Sequence, residues 1–381
     1  MAQEISVKIL IVTNFLPPKI GGIERLTHEL SCVLQKSGQH SVTVACAKWP
    51  EKFMKTTWAP SEIPYQVTYF PSNIVSKRLP IPSFWRASFW RAMKSLEAEY
   101  EIVIYQSHLF ALNWLLAFRY RNCLRRIWIS HGCNYIPVES RLIGLALLIY
   151  ERLGMLTLRL LSNEYLASSQ NASNWISHKV SKKFTIFSNA VNLELFDTSI
   201  FDIRPKKTKV LFVGRFVEGK GVLECIQSVA QANMKLQNQG EPLLFDLTII
   251  GAGPLESKFG DIDANLEIHF KGELDHPMVI SSMYAADILI QAYRQPEGLT
   301  TVTLEGLAAG MLIVTTPLSG DDQLVQCPNY EQGELEDLPN ILLKMREKSE
   351  SREELIKSGR EFIETGFTWE IAAKILLRSG V

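Results

Sequence analysis

The chain has 381 residues, 46% hydrophobic and 21% charged, a balance that excludes a disordered polypeptide and a length that favours two α/β-sized domains over one core. The formal net charge is zero, yet residues 1–200 carry 22 Lys and Arg against 13 Asp and Glu, and residues 201–381 carry 18 against 27. A basic half beside an acidic half reads in two ways: a face for something anionic, such as phosphates or a membrane surface, or mutual attraction of the halves.

In chain order, Val7 to Val12 is an apolar, β-rich run, followed by the loop Pro17-Pro-Lys-Ile-Gly21-Gly22. Apolar residues at Ile23, Leu26, Leu30, Val33 and Leu34 then keep helical spacing up to Gly38, and a second strand is expected over Ser41 to Cys46. Residues Ser83 to Leu96 combine Phe84, Trp85, Phe89 and Trp90 with Arg86, Arg91 and Lys94. This segment reads either as an interfacial membrane helix or as an ordinary helix with its aromatics in the core, and Arg141 to Leu161 carries the same two readings. The second half repeats the opening of the first. Val210 to Val213 is a strand, Gly214 to Gly221 a loop, Val222 to Met234 a helix, Phe245 to Ile250 a strand, and Gly251-Ala-Gly-Pro254 a turn. Alternating short strands and helices give parallel sheets covered on both faces. The expected fold is therefore two Rossmann-like α/β domains facing each other across a cleft, over residues 1–195 and 205–365, with 366–381 a helix crossing back to the first.

Six scattered cysteines without a C-x-x-C pair argue against a disulfide framework or zinc site. No apolar run approaches the roughly 20 residues that span a bilayer, and no signal peptide is recognisable, so a cytoplasmic protein is expected. Asp261-Ile-Asp263 reads as a solvated turn, and no metal or cofactor is expected.

The chemistry concentrates in two loops. In Gln295-Pro-Glu297-Gly298-Leu299-Thr300-Thr301-Val-Thr-Leu-Glu305-Gly306, one carboxylate precedes a helix starting near Thr300 or Thr301, and the other lies about a turn inside it. A helix N-terminus offers unpaired N–H groups to an anion, and carboxylates bind the vicinal hydroxyls of sugars and riboses. By itself the pair also fits a capping loop with Glu305 on a solvated helix face. The loop Gly214-Arg215-Phe-Val-Glu-Gly-Lys220-Gly221 adds two cations suited to a diphosphate, with Gly214 allowing a sharp turn after the strand.

With Gly21-Gly22, Ser130-His131-Gly132, Ser188-Asn-Ala-Val191, Val213-Gly-Arg215, Lys220-Gly221, Ile250-Gly-Ala-Gly-Pro254, Phe270-Lys-Gly272, the Glu297/Glu305 pair and Phe367-Thr-Trp-Glu370 in this order, the chain resembles glycosyltransferase family 4, retaining enzymes of the GT-B fold. The resemblance implies that Arg215 and Lys220 neutralise a donor diphosphate, Glu305 binds the nucleotide ribose, and Glu297 holds hydroxyls of the transferred sugar. It further implies that Gly21 and Gly22 let backbone approach the phosphates, together with the turn at Gly298, Leu299, Thr300 and Thr301. The base lies against the loop from Lys271 to Leu274. His131 lies beside the sugar ring, the alternative being a buried turn histidine. The resemblance implies a UDP- or GDP-sugar donor, a glycan acceptor and no nucleic acid; if the Ser83–Leu96 or Arg141–Leu161 helix binds lipid, the first domain makes peripheral membrane contact and the acceptor is lipid-linked or a membrane-bound glycan, as in bacterial surface polysaccharide assembly. The rivals are a non-catalytic nucleotide-sugar-binding protein and an NAD-dependent oxidoreductase. The latter would rest on Gly251-Ala-Gly253, which lacks a third glycine and follows the wrong strand. Gly306 departs from the family's usual alanine and is expected to weaken its helix by up to about 1 kcal/mol.

Overall fold

A computed structural model describes residues 7–17, 22–48, 63–75, 79–131, 141–196, 208–241, 245–261, 266–294, 297–318, 324–348 and 352–378. The chain divides into two compact units, Met1–Asn189 with Trp369–Val381, and Ala190–Thr368. Unit 1 opens with β1 (Val7–Val12), α1 (Gly22–Lys36), β2 (His40–Ala47) and β3 (Gln66–Phe70). A short hairpin, β4 (Ser72–Val75) and β5 (Leu79–Pro82), leads to α2 (Ala87–Ser95), β6 (Ile102–Gln106), α3 (Ala111–Arg119) and β7 (Arg125–Ser130). Then come α4 (Arg141–Leu161), β8 (Glu164–Ala167), α5 (Gln170–Val180) and β9 (Thr185–Ile186). Unit 2 holds β10 (Lys209–Val213), α6 (Val222–Asn238), β11 (Asp246–Ile250), β12 (Ile268–Gly272), α7 (His276–Tyr284), β13 (Ile288–Gln291), α8 (Thr301–Ala308), β14 (Leu312–Thr315), β15 (Tyr330–Gln332), α9 (Leu338–Lys348) and α10 (Arg352–Gly366). The last helix, α11 (Trp369–Arg378), returns to unit 1 and packs on α1.

Unit 1 is a parallel sheet ordered β3-β2-β1-β6-β7-β8-β9. Unit 2 is a parallel sheet ordered β12-β11-β10-β13-β14-β15. Strands covered on both faces must be largely apolar, and the central strands β1, β6, β10, β13 and β14 are, whereas the edge strands β3, β9, β12 and β15 are more polar and more exposed. Leu211, Ile250, Leu289 and Ile313 point into one core of unit 2, while Phe212, Ile249, Ile290 and Val314 point into the other. In unit 1, Leu10, Val12, Val103, Tyr105 and Trp128 meet α2, α3, α4 and α5 through Phe89, Leu116, Leu158 and Ile176. The backbone of Ala190 to Phe196 runs with unit 2: Val191 pairs with Thr368 and Phe196 is buried in a unit 2 core.

One sequence expectation is corrected here. On α2 and its approach only Phe89 enters the core; Phe84, Trp85 and Trp90 are each more than half exposed. A nine-residue helix has one inward stripe, and Phe89 fills it while the Trp90 indole donates to the Phe84 carbonyl at 2.8 Å. The chain bends at Gly214 directly after β10, as expected, and Gly221 (φ 66°) makes the left-handed entry into α6. A third feature concerns α4, which buries Met155 and Leu158 but leaves Leu145, Ile149, Leu153, Leu156 and Leu160 exposed. No helix among the described residues is long and apolar enough to cross a membrane. Asp263 and the turn through it lie outside the described residues, as do Gly21 and Gly132.

Candidate active site

The chain leaves β10 for β11 on one side and returns to β13 on the other, so the carboxyl ends of β10 and β13 are neighbours at a topological switch point. Ligands of doubly wound sheets bind there because two loops diverge and leave a crevice. The loop after β10 carries Arg215 and Lys220. That after β13 carries Tyr293, Glu297 and Thr300, leading into α8. The two are stitched together. Gln291 donates to the Val213 carbonyl at 3.2 Å, the Arg294 N–H to the Gly219 carbonyl at 3.4 Å, and the Arg294 guanidinium pairs with Glu224 at 2.8 Å. A Cβ on Gly221 would sit 1.5 Å from the Ala292 carbonyl oxygen, so only glycine lets the loops approach this closely.

This approach brings the Lys220 ammonium within 3.0 Å of Glu297 Oε1 and 5.2 Å of the Tyr293 ring centre. Burial pushes the Tyr293 phenol well above its ordinary range, keeping it neutral, and its hydroxyl lies 3.3 Å from Thr300 Oγ1. Thr300 is the N-cap of α8: its Oγ1 accepts from the Thr303 N–H at 3.3 Å and lies 2.9 Å from Thr303 Oγ1. Thr301 begins the helix, whose first turn presents the N–H groups that no helix satisfies internally. Arg215 is exposed, and Gly298 is partly buried. Leu299 is only 7% exposed, with its side chain in a unit 2 core, so it offers the loop its backbone alone.

Glu305 does not lie on a solvated helix face: it is 2% exposed, and its Oε1 is 2.9 Å from His276 Nε2. His276 begins α7, fixed by Asp275, whose carboxylate accepts from the Met278 N–H at 3.0 Å. Lys271 is exposed near the end of β12, and Leu274 packs against the core. Beside them Phe270 stacks on Phe259, 5.0 Å between ring centres. Lys220, Tyr293, Glu297 and Thr300 thus meet at one sheet end, and His276 joins Glu305 to the loop after β12. Sequence reasoning missed His276 and Tyr293. Asp275 and Pro277 signal a helix start at His276, but nothing in the local sequence pairs it with Glu305.

Unit 1 holds the other expected residues. Gly22 starts α1, and His131 follows β7. His131 Nε2 lies 2.5 Å from Gln106 Oε1, and burial lowers its pKa to about 4, so it is a neutral donor. The buried atoms Thr13 Oγ1, Gln106 Nε2 and Ser130 Oγ, at the carboxyl ends of β1, β6 and β7, have no hydrogen-bond partner among the described residues. Asp246, Glu267 and His269 group their ligand atoms within 4.8 Å, but at the amino ends of β11 and β12, the opposite sheet end from Lys220.

Two family models match in tandem: Glycosyltransferase Family 4 over residues 20–195 and Glycosyl transferases group 1 over 196–362. An uncharacterized glycosyltransferase of Methanocaldococcus jannaschii is 23% identical, over 97% of this chain and 96% of its own. Among solved structures, sucrose-phosphate synthase of Thermosynechococcus elongatus superposes with a TM-score of 0.72 at 17% identity, over 98% of each chain. The Anabaena protein HepE, in complex with UDP-glucose, superposes with a TM-score of 0.65 at 14% identity, again over 98% of each chain. These structural likenesses are ones of fold, two Rossmann-like α/β domains of the GT-B type. The chain is a GT-B glycosyltransferase, which moves a sugar from a nucleotide-sugar donor to an acceptor. It is related to the family-4 and group-1 glycosyltransferases, one model matching each half.

Proposed function

We propose that unit 2 binds a UDP- or GDP-sugar at the β10/β13 switch point and that transfer proceeds with retention of configuration. The observation that carries this is the Lys220–Glu297 pair at 3.0 Å, beside the N-terminus of α8. Breaking a sugar–phosphate bond builds negative charge on the departing diphosphate, and a preorganised cation aimed at that charge is the strongest lever available to a protein. Lys220 and Arg215 carry the diphosphate with the α8 N–H groups, and Glu305 takes the ribose. Glu297, already held by Lys220, takes hydroxyls of the transferred sugar, with His131 beside the ring. The leaving phosphate then accepts the acceptor's proton on the same face. Arg215 and Lys220 supply the charge that a divalent ion supplies elsewhere, so the reaction runs without metal. UDP is favoured by the UDP-glucose held by the Anabaena neighbour.

In this reading the acceptor, a glycan or lipid-linked glycan, docks on unit 1, where the unpartnered Thr13, Gln106 and Ser130 atoms suit sugar hydroxyls. The exposed Phe84, Trp85 and Trp90 beside Arg86, Arg91 and Lys94, and the exposed apolar face of α4, support peripheral contact with a cytoplasmic membrane leaflet during polysaccharide synthesis. Thermal unfolding in EDTA against UDP, GDP, ADP, dTDP and NAD tests the donor site. One nucleoside diphosphate raises the melting temperature, and Arg215→Ala removes the effect; a response to NAD alone would sink the reading. Sedimentation with anionic vesicles at low salt tests the membrane contact, and its loss in the triple variant Arg86→Ala/Arg91→Ala/Lys94→Ala is expected.

A further inference from the structure

A carboxylate 2% exposed inside α8 has given up its water, and that is tolerable only where hydrogen bonds replace it. His276 Nε2 is one of the groups that do so, 2.9 Å from Glu305 Oε1 across 29 residues of sequence. A carboxylate oxygen only accepts, so Nε2 carries the proton and donates. The ring is itself held: its side chain is 17% exposed, at the first position of a helix capped by Asp275 and followed by Pro277. The contact ties the loop that follows β12 to the helix that follows β13. The first is the loop that the family resemblance sets against the base, and the second carries the carboxylate that, in the function proposed above, takes the ribose. We propose that His276 is a positioning residue for the nucleoside end of the donor: its Nε2–H fixes the Glu305 carboxylate in the orientation from which it takes the ribose diol. The inference rests on that reading of Glu305, but adds a residue that the reading does not need.

The experiment compares, by titration calorimetry, UDP with 2′-deoxy-UDP and GDP with 2′-deoxy-GDP. The tighter base is the one read. A carboxylate oriented on the diol makes wild type prefer the ribonucleotide by about tenfold or more, the scale of one hydrogen bond to a charged group. In His276→Ala and His276→Asn this preference falls to about threefold or less, because neither side chain reaches Oε1. His276→Gln keeps it, since its amide nitrogen reaches as far as the ring Nε2. A structural role alone would lower the melting temperature of all three without moving the ratio. Should the alanine variant fail to fold, the Gln and Asn pair decides. If wild type discriminates and the Asn variant does so equally, the proposal for His276 is overturned while the reading of Glu305 stands. If wild type binds a diphosphate without discriminating, the role of Glu305 on the diol is wrong, and that of His276 falls with it. If no nucleotide binds at all, the donor site itself is misassigned.

Discussion

At the scale of the residue, the site turns on groups whose charge the fold has already set. Lys220 is held by Glu297 and the Tyr293 face before any ligand arrives, so Lys220→Ala removes an oriented cation, not a wandering one. Release of nucleoside diphosphate at saturating donor is expected to fall by about 10²-fold or more, the scale of one lost electrostatic donor. Unchanged turnover would remove Lys220 from the chemistry. Two histidines are set the other way. Burial, with Arg25 nearby for His28, lowers His28 and His131 to about 4, against an ordinary 6.5. Between those values the unfolded chain takes up protons that the folded chain refuses, so stability rises as pH rises from about 4 to about 6.5 and then levels. Urea midpoints followed over pH 4 to 7 should show that slope, and the double variant His28→Gln/His131→Gln should flatten it. The Glu297/Glu305 pair and the two cations stood out as candidates because their residue types and spacing, taken together, suit phosphates and hydroxyls. His276 did not, because nothing local says that a histidine 29 residues upstream meets Glu305; the crossover between β12 and β13 decides that.

At the scale of the element, the strands and most helices follow from the alternation of apolar runs and glycine-bearing loops. What periodicity left open was how closely elements approach. Gly219 has open space around it, whereas Gly221 has φ 66° and a carbonyl oxygen 1.5 Å from where a Cβ would go. Gly219→Ala is therefore expected to change stability by about 1 kcal/mol or less. Gly221→Ala forces left-handed strain and a backbone clash together, lowering stability by about 2–3 kcal/mol or more and displacing Lys220. Denaturant midpoints compare the two; equal midpoints would mean that the loop does not need its close approach to β13. Gly306 shows the same effect inside α8. A Cβ there would meet Ile313 Cδ1 and Leu289 Cδ2, both at 2.9 Å, so the helix propensity lost to glycine is offset by tighter seating of α8 on the sheet. Sequence alone showed the loss and not the seating. The aromatic segment around α2 was ambiguous for a related reason: four aromatics, two before the helix and two on it, exceed one buried stripe, and only the packed structure shows that Phe89 takes it.

At the scale of the whole molecule, two sheets of one architecture were legible from the repeated strand–loop–helix opening of each half, but unit 1 also depends on the far end of the chain. Helix α11 buries Trp369, Ala372, Ala373 and Leu376, the first and last to 2% and 1% exposure, and packs on α1. Arg125, the first residue of β7, donates to the carbonyls of Leu376 and Leu377 at 2.9 and 3.0 Å while gripping both oxygens of Glu164 at 2.7 Å. One guanidinium thus satisfies carbonyls at the end of α11, which the helix leaves unpaired, and ties them to the start of β8. Burying a large apolar side chain stabilises by roughly 1.5–3 kcal/mol, so Trp369 and Leu376 together contribute several kcal/mol, a large share of the roughly 5–15 kcal/mol that holds a domain. Ending the chain after Thr368 should therefore lower the unfolding transition of unit 1 sharply, whereas unit 2, whose two cores contain no residue of α11, keeps its transition and, with it, the nucleoside diphosphate binding proposed for it. Arg125→Met, which leaves α11 in place but removes its cap, should lower the same transition by a smaller step, about 1–3 kcal/mol. Calorimetry with hydrogen exchange assigns each transition to its unit. Equal loss in both units would mean that they unfold as one cooperative body, and no loss in unit 1 would mean that α11 is not the helix that completes it.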